Sequence, residues 1–238
     1  MLFYKKIFLM ILLFTNIVKL NSNILFFTNN FKINQKKYYS VLKCKNILIY
    51  DELMPTLYTN INIKNKSTRK NVYSLEHIYP SSYIDKLAKN DMHNIVKTSK
   101  NINNARSNYK FCDIIEYKYD IKTKEWYKEH NIINTSKWIQ LENNNYVNHK
   151  KKIFIPNNNS KGIISRAILY MKFKYNYSID KIINIDTLIK WYIDYPPSNN
   201  EIYHNNIIKE LQNEDNIFIK NYNNKKEINN LIKELYKK

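Results

Sequence analysis

Apolar positions recur with helical spacing through the second half of the chain. Ile164, Ala167, Ile168 and Met171 fall at i, i+3, i+4 and i+7, which puts them on one face of a helix. Ile185, Leu188, Ile189 and Tyr192 repeat that spacing, and Pro196-Pro197 predicts the stop, because proline cannot extend a hydrogen-bond ladder. Ser198 followed by Glu201 predicts a capping box: the hydroxyl accepts from a free helix amide while the carboxylate reaches back. Ile228, Leu231, Ile232 and Leu235 form a last amphipathic stripe flanked by lysines. All of these stripes are expected to face a core. Earlier, a short apolar, strand-like run around Glu76 ends at Pro80, and Ile153 to Ile155 reads as a short strand closed by Pro156. Polar residues 60–71 read as a loop or linker, and the asparagine runs 143–145 and 157–159 as further loops.

The start of the chain has a different pattern. Lys5 and Lys6 precede residues 7–18, which are apolar apart from Thr15 and Asn16. That run is short of the roughly 20 residues that span a bilayer as a helix. Residues 1–23 are therefore expected to be a secretory signal peptide, with an uncleaved anchor as the alternative. Residues 31–45 are basic and lack acids, which also fits a second address, to an organelle. The organisation expected is a leader (1–23), a basic segment or linker (24–70), a main domain (71–220) and a basic amphipathic C-terminal helix (221–238).

Composition narrows the chemistry. A chain of 238 residues is one ordinary domain or two small ones, and 44% hydrophobic content excludes a fully disordered chain. With one glycine, neither a P-loop nor a dinucleotide-binding turn can be built. Two cysteines, Cys44 and Cys112, make no disulfide framework; they either pair or stay as buried thiols. The net charge of +19 points to a polyanion, either nucleic acid or an anionic membrane surface. Heavy use of Asn, Lys, Ile and Tyr looks like an AT-rich genome, so part of that charge is mutational background.

The stretch 74–111 gathers an imidazole, a carboxylate, an amide and a guanidinium in under 40 residues. Glu76 and His77 are adjacent, a D-M-H-N-I run covers 91–95, and I-N-N-A-R-S-N-Y-K-F covers 102–111. The stretch is expected to fold as strand, strand, helix, with Thr98 or Ser99 capping a helix that carries Asn103 and Arg106. Phosphodiester hydrolysis needs a base for water, and an imidazole serves near neutral pH. It also needs a hard cation beside the phosphate; carboxylate and amide oxygens suit Mg²⁺, which keeps several waters and so needs few protein ligands. Adjacent strand residues face opposite ways, so Glu76 and His77 can serve one phosphate only where the strand twists, bulges or ends.

In order and spacing, E-H-I-Y-P, D-M-H-N-I and I-N-x-x-R-S-N-x-x-F resemble the endonuclease I family, nonspecific nucleases with a ββα-metal (His-Me finger) site. Downstream, residues 161–171, which hold the one glycine, Gly162, resemble that family's G-x-x-A-R-x-x-x-Y-M helix. Trp191, Tyr195-Pro196, Glu201 and residues 212–218 resemble its closing segment. The resemblance implies an α+β fold, a ββα-metal core in a mostly helical single domain, and metal-dependent cleavage of DNA, RNA or both. It implies His77 as general base, Glu76 and Asn103 as ligands of Mg²⁺ (Mn²⁺ or Ca²⁺ being alternatives) and Arg106 as a further catalytic group. Asp91, His93 and Asn108 are expected to support the site.

The family often carries a longer insertion after its first histidine, with a phosphate-contacting arginine; here no arginine lies between His77 and Asp91. Lys86 and Lys89 are the expected substitutes, and Lys161 and Arg166 further phosphate contacts. Glu214, Asp215 and Ile217 depart from the closing pattern. A monomer is expected, with no specific protein partner. Two other readings compete: a catalytically inactive nucleic-acid binder of the same fold, and a membrane-surface protein using residues 7–18 and the last helix.

Overall fold

The computed structural model describes residues 56–59, 73–131 and 137–236. The leader, most of the linker and Cys44 lie outside these residues. Strand β1 (Tyr73–His77) pairs antiparallel with β2 (Ile95–Ser99), with Glu76 opposite Val96 and His77 opposite Ile95. Three short 3-10 turns, Ser81–Tyr83, Ala88–Asn90 and Met92–Asn94, fill the connection. Helix α1 (Lys100–Arg106) follows β2 without a break, so strand, strand and helix succeed one another as expected.

Strands β3 (Lys110–Phe111), β4 (Ile115–Asp120), β5 (Glu125–Asn131), β6 (Ile139–Leu141), β7 (Asn145–Asn148) and β8 (Ile153–Ile155) follow. The β4–β5 hairpin stands alone, while β3-β8-β7-β6 form one sheet with β3 parallel to β8. Helices α2 (Asn158–Tyr175), α3 (Ile185–Asp194), α4 (Asn199–Gln212), α5 (Ile217–Lys220) and α6 (Lys225–Leu235) complete a mixed α+β chain. Several small sheets and a helical second half match the expected class at that level.

Helix α2 runs through the core. Ile164, Ala167, Ile168 and Met171 are buried, as the periodicity predicts, but so are Gly162, Ser165, Arg166 and Leu169 from the rest of its circumference. A polar residue can sit there only when its hydrogen bonds are met. Gly162 allows the close approach: a Cβ in its place would lie 2.4 Å from the Tyr195 carbonyl oxygen. The stripe of α6 is likewise occupied, with Leu231 and Ile232 buried and Ile228 and Leu235 packed on the main core. That apolar face is therefore not offered to lipid, which removes the last helix from the membrane-surface reading. Among the described residues no helix is long and apolar enough to cross a membrane.

Local expectations needed correction at four places. Ser198 caps α4 by accepting from the Glu201 amide, but the Glu201 carboxylate does not reach back; it binds Arg166. Ser99 occupies the position before α1 without a capping bond, and the Thr98 hydroxyl donates to the Leu57 carbonyl instead. Asn157 caps α2, so Asn158 and Asn159 are helical and not loop, while Asn145 is a buried strand residue. Residues 56–59, assigned to the linker, pack in the core, where Tyr58 is fully buried against Phe154.

Candidate active site

Alternation along β1 sorts its side chains. Leu75 packs on one side against Met92, Ile95 and Ile208, and Ser74 and Glu76 share the other face. Glu76 is 2% exposed. Its Oε1 accepts from the Tyr58 hydroxyl at 3.0 Å and pairs with Arg106 Nη1 at 3.0 Å. Burial pushes the carboxyl up to about 7, against the opposing pull of the Arg106 charge and the Tyr58 bond. No described residue bonds Oε2.

Asn103 reaches the same face from α1. Its amide nitrogen donates to Ser74 Oγ at 2.9 Å and to the Leu75 carbonyl at 3.1 Å. Both bonds use nitrogen, so they orient the group and leave its oxygen as the atom able to ligate.

Arg106 is 1% exposed and lies under the end of β1. It donates to the carbonyls of His77 (3.2 Å), Ile78 (2.6 Å) and Ser107 (3.0 Å), and its guanidinium stacks 4.4 Å from the Phe111 ring centre. So deep a guanidinium does not touch a phosphate, and the catalytic role expected for Arg106 becomes one of holding Glu76 and the backbone of His77. Ser107, just beyond, adopts φ 53° and ψ −127°, a conformation rare for a residue with a side chain.

His77 is the last residue of β1, which meets the condition that the strand end there. Its ring is partly exposed, and Nε2 lies 2.9 Å from the carbonyl oxygen of Lys89. A carbonyl only accepts, so Nε2 carries the hydrogen, and in the neutral ring Nδ1 is the basic nitrogen. Beyond the strand, Asn94 clamps the chain: Tyr79 N donates to its Oδ1 at 2.7 Å, and its Nδ2 donates to the Tyr79 carbonyl at 2.9 Å.

Asp91 and His93 do not join this group. Burial alone would raise the Asp91 carboxyl. Lys174 (2.9 Å), the His93 charge and the hydroxyl of Tyr175 (2.7 Å) outweigh it, and the group is held well below the usual carboxylate range. His93 donates from Nε2 to the Glu214 carbonyl at 2.9 Å and meets Tyr170 edge-on; burial pulls its pKa down to about 4. The pair ties the hairpin connection to α2 and the closing segment. Asn108 lies only loosely by Ser82 Oγ (3.5 Å) and Tyr83 Oη (3.4 Å).

Two of the four expected phosphate contacts are corrected. Lys161 is 4% exposed and bound to Asp113 at 2.8 Å; Arg166 is 1% exposed and holds both oxygens of Glu201 at 2.6 Å. Charges buried this deeply require partners, and these have them. Lys86 and Lys89 are exposed, and the Lys89 backbone touches His77. The departures in the closing segment are compensated. Glu214 pairs with Lys174, and Asp215 with Lys209 at 3.0 Å. Asn213 takes the left-handed conformation (φ 60°), which asparagine tolerates better than most residues.

Tyr58 and Asn94 were not among the expected site residues. Asn94 sits inside the D-M-H-N-I run, which was a usable signal; Tyr58, in the linker, had none.

Among the described residues no group of three or more His, Cys, Asp or Glu side chains could hold a metal. One carboxylate oxygen and one amide oxygen on a shared face suit a hard cation that keeps most of its water. Comparison with known proteins found a match between residues 13–223, most of the chain, and the sequence model of the family described as Endonuclease I. No curated protein matches.

Proposed function

We propose a phosphodiester-hydrolysing site for this chain, which belongs to the endonuclease I family. Membership makes it a nuclease acting on nucleic acid. The finer reading is a metal-dependent endonuclease that cuts DNA, RNA or both without sequence preference, built on a ββα-metal core. His77 takes the proton of the attacking water at Nδ1, while the Lys89 carbonyl holds the opposite N–H and so the ring. Glu76 and Asn103 would hold Mg²⁺ through their oxygens. When bound, the cation neutralises charge that grows on the phosphate oxygens. Arg106 keeps the Glu76 carboxylate and the His77 backbone in place. Exposed Lys86 and Lys89 contact phosphate as point charges, without the forked geometry of arginine. Water is the nucleophile, so no 2′-hydroxyl is needed and the mechanism excludes neither polymer. A monomer that enters the secretory route through residues 1–23 is part of the same reading.

The observation that carries it is the His77–Lys89 hydrogen bond, which selects one tautomer of His77 at the end of the strand that carries Glu76. The test is incubation of supercoiled plasmid and of RNA with Mg²⁺, then with EDTA, alongside His77→Ala. Metal-dependent nicking lost in the variant supports the enzyme. A gel shift without cleavage selects the inactive binder, the reading favoured by the existing bonds on Glu76 Oε1.

A further inference from the structure

No acidic residue occurs between Glu142 and Asp180, and six of the seven lysines and arginines of that stretch fall into two groups, with Lys172 half-buried on α2. Lys161, Arg166 and Lys174 are buried, each against an acid from another element: Asp113, Glu201, and Asp91 with Glu214. Lys150, Lys151 and Lys152 are exposed together at the β7–β8 turn, where no described residue forms an ion pair with them. The mutational background that enriches lysine does not account for that sorting. Like charges crowded on one turn repel, and an external polyanion relieves the repulsion.

The turn is joined to the candidate site by a short span of chain. Tyr109 N donates to the Arg106 carbonyl at 3.0 Å, the Tyr109 hydroxyl lies 3.2 Å from His149 Nδ1, and Lys110 N donates to the Lys152 carbonyl at 3.1 Å. Four residues from Arg106 to Lys110 extend at most about 14 Å, which is roughly four phosphates along one strand at about 3.4 Å each. Asn148 Oδ1 accepts from Lys151 N at 3.0 Å, so the tip is held in one shape.

We propose that the turn at 149–152 is a backbone clamp: it grips phosphates of a bound nucleic acid strand to one side of the bond to be cut. Its position relative to a scissile bond rests on the nuclease reading above, but its polyanion binding does not. The clamp contributes affinity and salt dependence and takes no part in the chemical step.

The test compares Lys150→Gln/Lys151→Gln with Lys118→Gln/Lys122→Gln, which removes equal charge from exposed positions on the β4–β5 hairpin. Binding of a fluorescein-labelled DNA strand is followed by anisotropy in EDTA across a salt series. Each lost phosphate contact lowers the slope of log K against log salt by about 0.7 to 0.9. The clamp variant is expected to lose about 1 to 2 from that slope and at least about tenfold in low-salt affinity, while the control stays close to the parent. In cleavage assays its KM rises while kcat stays within about twofold. Equal slopes for the two variants, or no salt-dependent binding by the parent chain, overturn the clamp. Parent chain that binds but never cleaves overturns the nuclease reading instead, and the slope difference then still supports the clamp.

Discussion

The His77 imidazole lies 2.9 Å from the Lys89 carbonyl oxygen, twelve residues further along the chain. The bond works because β1 ends at His77 and the following turns bring Lys89 back over it. A base oriented in this way typically contributes 10² to 10⁴ in rate. His77→Ala is expected to lower kcat by about that factor while plasmid binding, read by gel shift, stays within about threefold. Unchanged turnover would remove His77 from the chemistry.

Glu76 and Asn103 should behave differently when replaced. Asn103→Ala removes the oxygen proposed to hold Mg²⁺ and two half-buried hydrogen bonds, so cleavage should fall by about 10² or more with a modest loss of stability. Glu76→Gln also strips the buried Arg106 of its counter-charge, which lowers stability most above about pH 7, where the parent carboxyl is ionised. Urea unfolding in parallel with cleavage separates the two effects. EDTA should abolish cleavage by the parent chain, and Mg²⁺ should restore it.

Acid acts on this protein through buried groups whose shifts oppose one another in the upper range and leave Asp91 to dominate the lower. His93 has a folded pKa of about 4 against an ordinary 6.5, so the unfolded chain binds more protons between those values. His93 therefore takes stability away as pH drops from about 6.5 towards 4, by an amount on the order of 3 kcal/mol, while Glu76, raised to about 7, adds stability over much of the same range. Asp91, held below the usual carboxylate range, contributes stability present above its unfolded pKa and lost as pH falls further. Thermal melts from pH 7 to 3, run on the parent and on His93→Gln, separate these contributions. His93→Gln should lose less stability than the parent between pH 6.5 and 4, since the amide can still donate to Glu214 but does not titrate.

Gly162→Ala places a Cβ 2.4 Å from a backbone oxygen and 2.7 Å from the Arg166 guanidinium. Overpacking of this kind costs about 1 to 3 kcal/mol, and the shift should appear as a lowered Tm with cleavage per folded molecule retained. Glu201→Ala leaves Arg166 buried without its carboxylate and should cost about 3 to 5 kcal/mol. A Tm unchanged in either variant would mean that the α2–α3–α4 corner is less tightly packed than described.

Much of the fold was legible because helices announce themselves through local spacing. The stripes at 164–171, 185–192 and 228–235 are all helical and all face the core. The short strands of β4 and β5 had no comparable signal, since their faces mix exposed and half-buried residues. In the candidate site, His77, Glu76, Asn103 and Arg106 stood out by residue type and order. Which of them is exposed did not, because depth depends on what packs above each side chain.

The amino-acid order alone determined the helical periods, the proline stops, the succession of strand, strand and helix, and the family motif that brings imidazole, carboxylate and amide within a short reach. Tertiary structure decided the rest. It buried Lys161, Arg166 and Lys174 against distant acids, left Lys150–Lys152 in solvent, and brought Tyr58 from the linker onto Glu76. A cation's role depends on whether an acid from another element reaches it, and no local spacing encodes a partner tens of residues away.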